Sequence, residues 1–436
     1  HFTYQRLLHF CLPSIVMMIF TSIYGVVDGL FVSNFVGKIP FAAINLVMPF
    51  IMILGGFGFM IGTGGSALIA KTLGEGKHKL ANCYFSMLII MTVILGLFLT
   101  TIGIVFARRV SILLGATDVM LDDCVIYLRT VLLFISPFML QNVFQSFLVT
   151  AQKPHAGLIV TIIAGLTNMS LDALFIVVFR WGVAGAALAT GISQCIGGLL
   201  PLILFLGKND SLLHLVPTRL EWRPFFLSCT NGMSELMGNI SSSIVSMLYN
   251  FQLLNYAGEN GIAAYGVLMY VQFIFIAVFF GYTIGVGPVI GYHYGAGNHA
   301  ELKNLLRKSL KLNIITGISM TILANLFAGA LSRIFVGYDP ELYAMTKSAF
   351  HIFALSFLVC GINIFASAFF TALNNGLVSA VISFLRTLVF QVGSVLILPA
   401  FLGLTGIWLS NTFADLMAML ISIIFLAAMR KRYHYA

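Results

Sequence analysis

The sequence predicts an all-α polytopic membrane protein, with twelve transmembrane helices in two pseudo-symmetric six-helix lobes. Three observations predict it. Of 436 residues, 60% are hydrophobic and only 8% are charged, with a mean hydropathy of +1.02; a soluble domain carries about 25% charged residues. The apolar runs are solid rather than alternating, which excludes a β-barrel. They also suffice for about twelve segments of the roughly 20 residues that a spanning helix needs. Finally, one internal offset of 221 residues brings the two halves of the chain into register.

The spans are placed by hydropathy. The first, 10–35, follows Arg6 and contains Pro13, read either as a bend near Asp28 or as a helix-start proline. Its apolar run continues as a full span, so no cleavable signal is read there. The second, 41–70, follows Lys38 and carries Gly55-Gly56-x-Gly58 and Gly62-x-Gly64-Gly65. No Lys-Ser/Thr follows and no strand precedes, so these glycines read as close helix packing rather than a phosphate loop. Lys71, Lys77 and Lys79 separate it from the third span, 83–106, which ends before Arg108 and Arg109. The fourth, 126–149, has Arg129 near its outer end, a snorkelling position. Lys153 precedes the fifth, 156–179, and Arg180 the sixth, 183–206. The basic segment 207–224, with Lys208, Arg219 and Arg223, reads as a linker between lobes 1–206 and 225–436. Spans seven, 226–256, and eight, 261–290, part near Gly258. The ninth, 308–331, follows the cluster Lys303, Arg307, Lys308 and Lys311, and the tenth, 348–372, follows Lys347. The eleventh, 377–400, contains Arg386; the twelfth, 404–429, ends before Arg430, Lys431 and Arg432.

With the N-terminus inside, fifteen Lys and Arg fall on inner segments and six on outer ones. The bias predicts a multi-pass protein of the cell membrane with both termini cytoplasmic. The net charge of +9 then belongs to loops facing an anionic membrane surface, and no nucleic acid is expected. The six Cys are scattered at positions 11, 83, 124, 195, 229 and 360, without metal spacing or a disulfide framework. The 221-residue offset aligns Gly37 with Gly258 and Ala42-Ala43 with Ala263-Ala264. It aligns Gly74-x-Gly76-x-His78 with Gly295-x-Gly297-x-His299, Thr150-Ala151 with Thr371-Ala372, and Gly182-x-x-Gly185 with Gly403-x-x-Gly406. Parallel repeats of this kind are a transporter architecture, with substrate bound between halves that rock.

Four acids fall inside spans: Asp28, Asp172, Glu235 and Asp415. An ionised Asp at mid-span costs about 2.5–3.5 kcal/mol on insertion scales, so these are the first functional candidates. Asp28 and Asp172 sit at one depth, roughly 10 Å below the outer surface at 1.5 Å per residue. Tyr24 and Asn168 precede them by four residues and share their helix faces. Thr190 enters from outside to the same depth. The expected cluster is Tyr24, Asp28, Asn168, Asp172 and Thr190, in one half only, since positions 28 and 172 correspond to Tyr249 and Gly393. Loss of water and a second carboxylate nearby both favour the protonated carboxyl, so the pair suits proton exchange. Asp28, Asn168 and Asp172 also offer oxygens to Na+. The structural alternative is a hydrogen-bond cluster tying helices together.

Glu235 heads a stripe at helical spacing: Glu235, Asn239, Ser242, Ser246 and Tyr249. The stripe reads as the lining of a substrate cavity or a second cation site; alternatively Glu235 pairs with Arg386. Gln141, Asn142, Met269 and Gln272 are further cavity candidates. Asp415 reads as a helix contact or a cavity residue, and His351 as a satisfied core histidine. Phe, Tyr and Met number 39, 15 and 19; aromatics stack on planar organic cations, although most must face lipid or neighbouring helices. There is no Walker motif, no HExxH and no Ser–His–Asp pattern.

The chain resembles the multidrug and toxic compound extrusion (MATE) family along essentially its whole length. The resemblance rests on PSIVMMIFTSIYGVVDGLFVSNFVG from Pro13, on Asn168-x-x-x-Asp172, on YTIGVGPVIGYHYGAGN at 282–298 and on GLTGIWLSNTFAD at 403–415. It implies two six-helix lobes arranged as a V, and export of cationic or amphipathic compounds in exchange for H+ or Na+. It implies no cofactor beyond that ion, small organic cations and the bilayer as partners, and Asp28 as the coupling carboxylate, with Tyr24, Asn168, Asp172 and Thr190 around it. A monomer is expected. In some members a seventh-span Glu joins a second-lobe cation site. Glu235 fits that position loosely, but the tenth span offers only His351 to complete the site. The alternatives are a lipid-linked oligosaccharide flippase of the same superfamily, disfavoured by the few intramembrane Lys and Arg, and an intramembrane aspartyl-type enzyme, disfavoured by the near-full-length repeat.

Overall fold

The computed structural model describes residues 2–207 and 210–436; His1, and Lys208 of the expected linker, lie outside the described residues. Helix α1 (Tyr4–Phe35) starts where the Thr3 hydroxyl accepts the Arg6 amide at 3.3 Å, satisfying a first-turn donor. Pro13 therefore lies inside the helix, which removes the helix-start reading; its ring supplies no N–H to the turn before it. Helices α2 (Lys38–Gly74) and α3 (His78–Leu113) follow. The fourth span, α4, is two pieces, Leu121–Leu132 and Ile135–Thr150, bent by 58°. α5 (Pro154–Val178) ends in a π-helical turn over Ala173–Val178, and α6 is Gly182–Leu206. A short helix, α7 (Trp222–Asn231), precedes a helical stretch, Met233–Gly295, that Gly258 interrupts at φ 64° and ψ −152°. We treat its parts as α8 (233–257) and α9 (259–295). Then come α10 (His299–Val336), α11 (Pro340–Ala372), α12 (Gly376–Leu402), with a π turn at Leu385–Val389, and α13 (Leu404–Tyr433).

Leaving out α7, these are twelve apolar segments, and no strand occurs among the described residues. The helices run longer than hydropathy alone predicts because charged ends continue the helix beyond the apolar layer. α10 has 38 residues, about 57 Å at 1.5 Å each, against a hydrocarbon core of roughly 30 Å. Its first turns, with Glu301, Lys303 and Arg307, project beyond that layer. The landmark glycines mark the turns: Gly76 and Gly297 have φ of 82° and 70°, and Gly182 and Gly403 both 66°, a region that favours glycine.

One apolar cluster gathers residues from Val32 to Leu236, and a second from Val245 to Trp408. The foot of α1 joins neither: Leu7 and Cys11 pack with Phe365, Phe369 and Phe370. Beside that foot, glycines set the closest approach of the two halves of the chain. A Cβ at Gly281 of α9 would lie 2.5 Å from Ile15 Cα of α1, and one at Gly285 3.0 Å from Cys11 Cα. Gly74 of α2 and Gly295 of α9 would each meet the opposing carbonyl, of Tyr292 and Lys71 respectively, at 2.0 Å. The glycines of α2 fulfil the packing role expected of them: Gly58 and Gly62 meet the backbone of α4, and Gly64 that of α7.

The segment 210–221 that leads into α7 is not a free loop. Its backbone runs along α3, where His214 N–H donates to Asn82 Oδ1 at 3.1 Å and Val216 N–H to Ser86 Oγ at 2.9 Å. Leu213 is fully buried beneath it. Side chains four apart on one helix face thus accept from an extended strap.

Candidate functional site: a buried carboxyl pair and a central cavity

Beyond the glycine contact the halves enclose a cavity of about 420 Å³. Met18 and Ser22 of α1 and Phe59 and Thr63 of α2 form one wall. The opposite wall comes from α8, α9, α11, α12 and α13. The stripe Glu235, Asn239, Ser242, Ser246 and Tyr249 lines it along its length, as helical spacing requires, and Met269 and Gln272 line it from α9. Tyr249 and Tyr265 stack at 5.0 Å with their planes 8° apart. Phe59, Phe273, Phe280 and Phe353 add aromatic surface.

Arg386 does not pair with Glu235. Its Nε donates to Asp415 Oδ1 at 3.1 Å, which leaves Glu235 as the one acid among the described residues that line this cavity. A chain of hydrogen bonds runs beside that pair. Tyr249 OH donates to Gln391 Oε1 at 2.9 Å, Gln391 Nε2 to Asn411 Oδ1, and Asn411 Nδ2 to Ser356 Oγ at 3.1 Å. His351 lies outside the cavity, and its Nδ1 is 2.8 Å from Asn325 Oδ1.

The structure brings Asp28 of α1 and Asp172 of α5 together inside the first half, each carboxyl against the other, and no basic side chain among the described residues acts on either. Asp172 is fully buried and Asn168 4% exposed. Asp28 Oδ1, Asn168 Oδ1, both Asp172 carboxyl oxygens and Thr190 Oγ1 are buried without hydrogen-bond partners. Buried polar atoms are almost always paired, so a set of orphaned oxygens marks a place for a proton or a cation. Two buried carboxylates set against one another do not both stay ionised unless a cation joins them. The donor set is all oxygen, which suits a hard cation; no cluster of three or more His, Cys, Asp or Glu with metal-site geometry occurs among the described residues.

Sequence reasoning missed Tyr127. It is 2% exposed, and its hydroxyl lies by Thr190 and close to both carboxyls. Hydropathy puts it at the mouth of the fourth span; the 58° bend in α4 carries it inward. The structure places Gln141 and Asn142 away from the large cavity. Gln141 lies beside Tyr24 and Gly197, on the carboxyl side, while Asn142 Nδ2 donates to Gly55 O at 3.0 Å and ties α4 to α2. Both positions lie on the face of α4 that packs inside the first half, so polarity in a span did not mean access to the cavity.

The MatE family model matches residues 13–174 and again 236–397. The multidrug export protein MepA of Staphylococcus haemolyticus is 25% identical over 436 residues, covering 98% of this chain and 94% of its own. MepA of Staphylococcus aureus strain MRSA252 is 23% identical over 437 residues, with the same coverage. Among solved structures, an outward-facing multidrug resistance MATE family transporter of the MOP superfamily superposes with a TM-score of 0.92 at 22% identity, over 98% of this chain and 96% of that one. A MOP superfamily transporter from Pyrococcus furiosus superposes at 0.91 and 21% identity, over 99% of this chain and 96% of that one.

Proposed function

The chain belongs to the MatE family, and from that premise we propose that it is a secondary active antiporter that exports organic cations and amphipathic drugs in exchange for H+ or Na+. It is a transporter and not an enzyme. The observation that carries the coupling is the Asp28–Asp172 pair with its orphaned oxygens. The MepA relatives, named as multidrug export proteins, support the substrate class. The cavity supports it too, with aromatic walls, one free acid, Glu235, and a single cation, Arg386, already neutralised by Asp415. A cationic ring system gains from both the acid and the aromatic faces. A pyrophosphate-linked lipid would find no unpaired cation among the described lining residues, which disfavours the flippase alternative.

Helix α1 links the two places. Tyr24 and Asp28 face the carboxyl cluster, while Met18 and Ser22 face the cavity, and the foot of α1 lies against α9. When a proton or Na+ joins the carboxyl pair, repulsion between α1 and α5 falls. The position of α1, and with it the cavity wall and the glycine contact, then follows the state of the pair. Ion and substrate thus act on one element from two sides, and exchange needs only that each favours a different setting of it.

The test uses proteoliposomes loaded with a fluorescent organic cation, with an imposed pH gradient and then an imposed Na+ gradient, wild type beside Asp28→Asn. Wild type moves dye under one of the two gradients. Asp28→Asn inserts normally and moves it at least about tenfold more slowly. Gradient-driven movement of equal rate in the variant rejects the role of the pair.

A further inference from the structure

Both halves bury an acid among polar side chains, and the 221-residue offset sets the two arrangements in register. Tyr249 stands where the first half has Asp28, Asn411 where it has Thr190, and Asp415 where it has Gln194. The charges differ. The first-half cluster has two acids and, among the described residues, no base. In the second, the cluster around Asp415 has that one acid and, from the π turn of α12, one base, while Glu235 of the same half faces the cavity instead. The position that matches Arg386 is Gly165, which has no side chain to project. Asp415 is 1% exposed, and its Oδ2 is buried without a partner. Asn363 Nδ2 donates to the Asp415 carbonyl at 2.8 Å, holding that turn of α13. Tyr249 and Cys360 are the other ionisable groups beside the carboxylate. Arg386 lines the cavity with its side chain 16% exposed, while Asp415 lies behind it.

We propose that the second half contains a buried cation site of its own, filled permanently by the Arg386 guanidinium with Asp415 as its anionic ligand, so that Asp415 takes no part in exchangeable cation binding. A guanidinium does not give up its proton under any ordinary condition. A site filled by one has no empty state and contributes no ion to a transport cycle. A cation arriving from the cavity meets Arg386 in its way. Without Arg386 the carboxylate would stand buried and uncompensated, a costly arrangement, and would recruit a mobile cation through its free oxygen. The inference goes beyond the transport reading and rests on it only in taking exchangeable cation binding to lie at another site.

The experiment measures cation binding by the purified full chain, not export. Bound sodium-22 and proton uptake on acidification are counted for wild type, Arg386→Gln, Arg386→Lys and the double variant Arg386→Gln/Asp415→Asn. Arg386→Gln is expected to take up one more cation per chain than wild type, in the sodium arm or in the proton arm. Arg386→Lys and the double variant are expected to show no gain. Equal uptake by Arg386→Gln and wild type overturns the proposal, as does a gain that persists without Asp415. If Arg386→Gln fails to accumulate, recovery in the double variant supports an uncompensated carboxylate as the cause, and failure of both overturns it. A wild type that binds neither ion would count against the first-half pair, while the increment on Arg386→Gln would still report on this site.

Discussion

At the scale of single residues, the membrane-spanning segments hold four acids in three settings among the described residues. Asp28 and Asp172 have each other, Asp415 has Arg386, and Glu235 has the cavity. The setting decides the role. Glu235 is the acid that a cationic ligand can reach, so Glu235→Gln is expected to weaken binding of a monovalent aromatic cation roughly tenfold, about 1.4 kcal/mol, and to leave a neutral analogue unchanged. Titration of dye fluorescence on the purified protein checks this; equal losses for both ligands would show that Glu235 only shapes the wall. The acids were legible from the sequence because charge in an apolar run is costly, and helical spacing alone put the stripe from Glu235 to Tyr249 on one face. Their partners were less legible. Arg386 reaches Asp415 across 29 positions of sequence, and nothing in either local pattern prefers that pairing to one with Glu235.

At the scale of elements, the helices follow from solid apolar runs and basic breaks, and their turns from the landmark glycines. What the runs do not encode is departure from regularity. The bend in α4, the π turns of α5 and α12 and the strap along α3 are set by neighbours. A hydropathy window averages over them, so it does not show that Tyr127 reaches the carboxyls or that Gln141 lies beside Tyr24. Two predictions belong here. Gly281→Leu places side-chain atoms against the backbone of Ile15 and Ser14, which cannot give way as a side chain can, so α1 and α9 must separate. Cys11, fully buried beside Gly285, is expected to react with a small water-soluble maleimide roughly tenfold faster in that variant, a change of about 1.4 kcal/mol in the opening equilibrium; unchanged labelling would mean that the contact yields elsewhere. Ser86→Val removes the acceptor for Val216 N–H at 2.9 Å, a loss of about 1 kcal/mol. Tryptic cleavage at Arg219 is expected to quicken about fivefold, with the folded helices otherwise intact on the gel.

At the scale of the whole molecule, the basic segments predict that the strap and both termini face the cytoplasm. Protease added to right-side-out vesicles is expected to leave the strap intact, and protease inside them to cut it; cleavage from outside would reverse the orientation. The glycine contact bears on how fast the halves part. Interdigitated side chains must change rotamer and unthread before two surfaces come apart. At Gly74, Gly281 and Gly295 the opposing surfaces meet main chain against main chain, so parting there unthreads few side chains. The apolar grip between the halves is local, at the foot of α1, where Leu7 and Cys11 are buried among Phe365, Phe369 and Phe370. A contact that can part without unthreading side chains along most of its length lends itself to control by a few kilocalories of preferential binding, which is the scale that one proton, one sodium ion or one aromatic cation supplies.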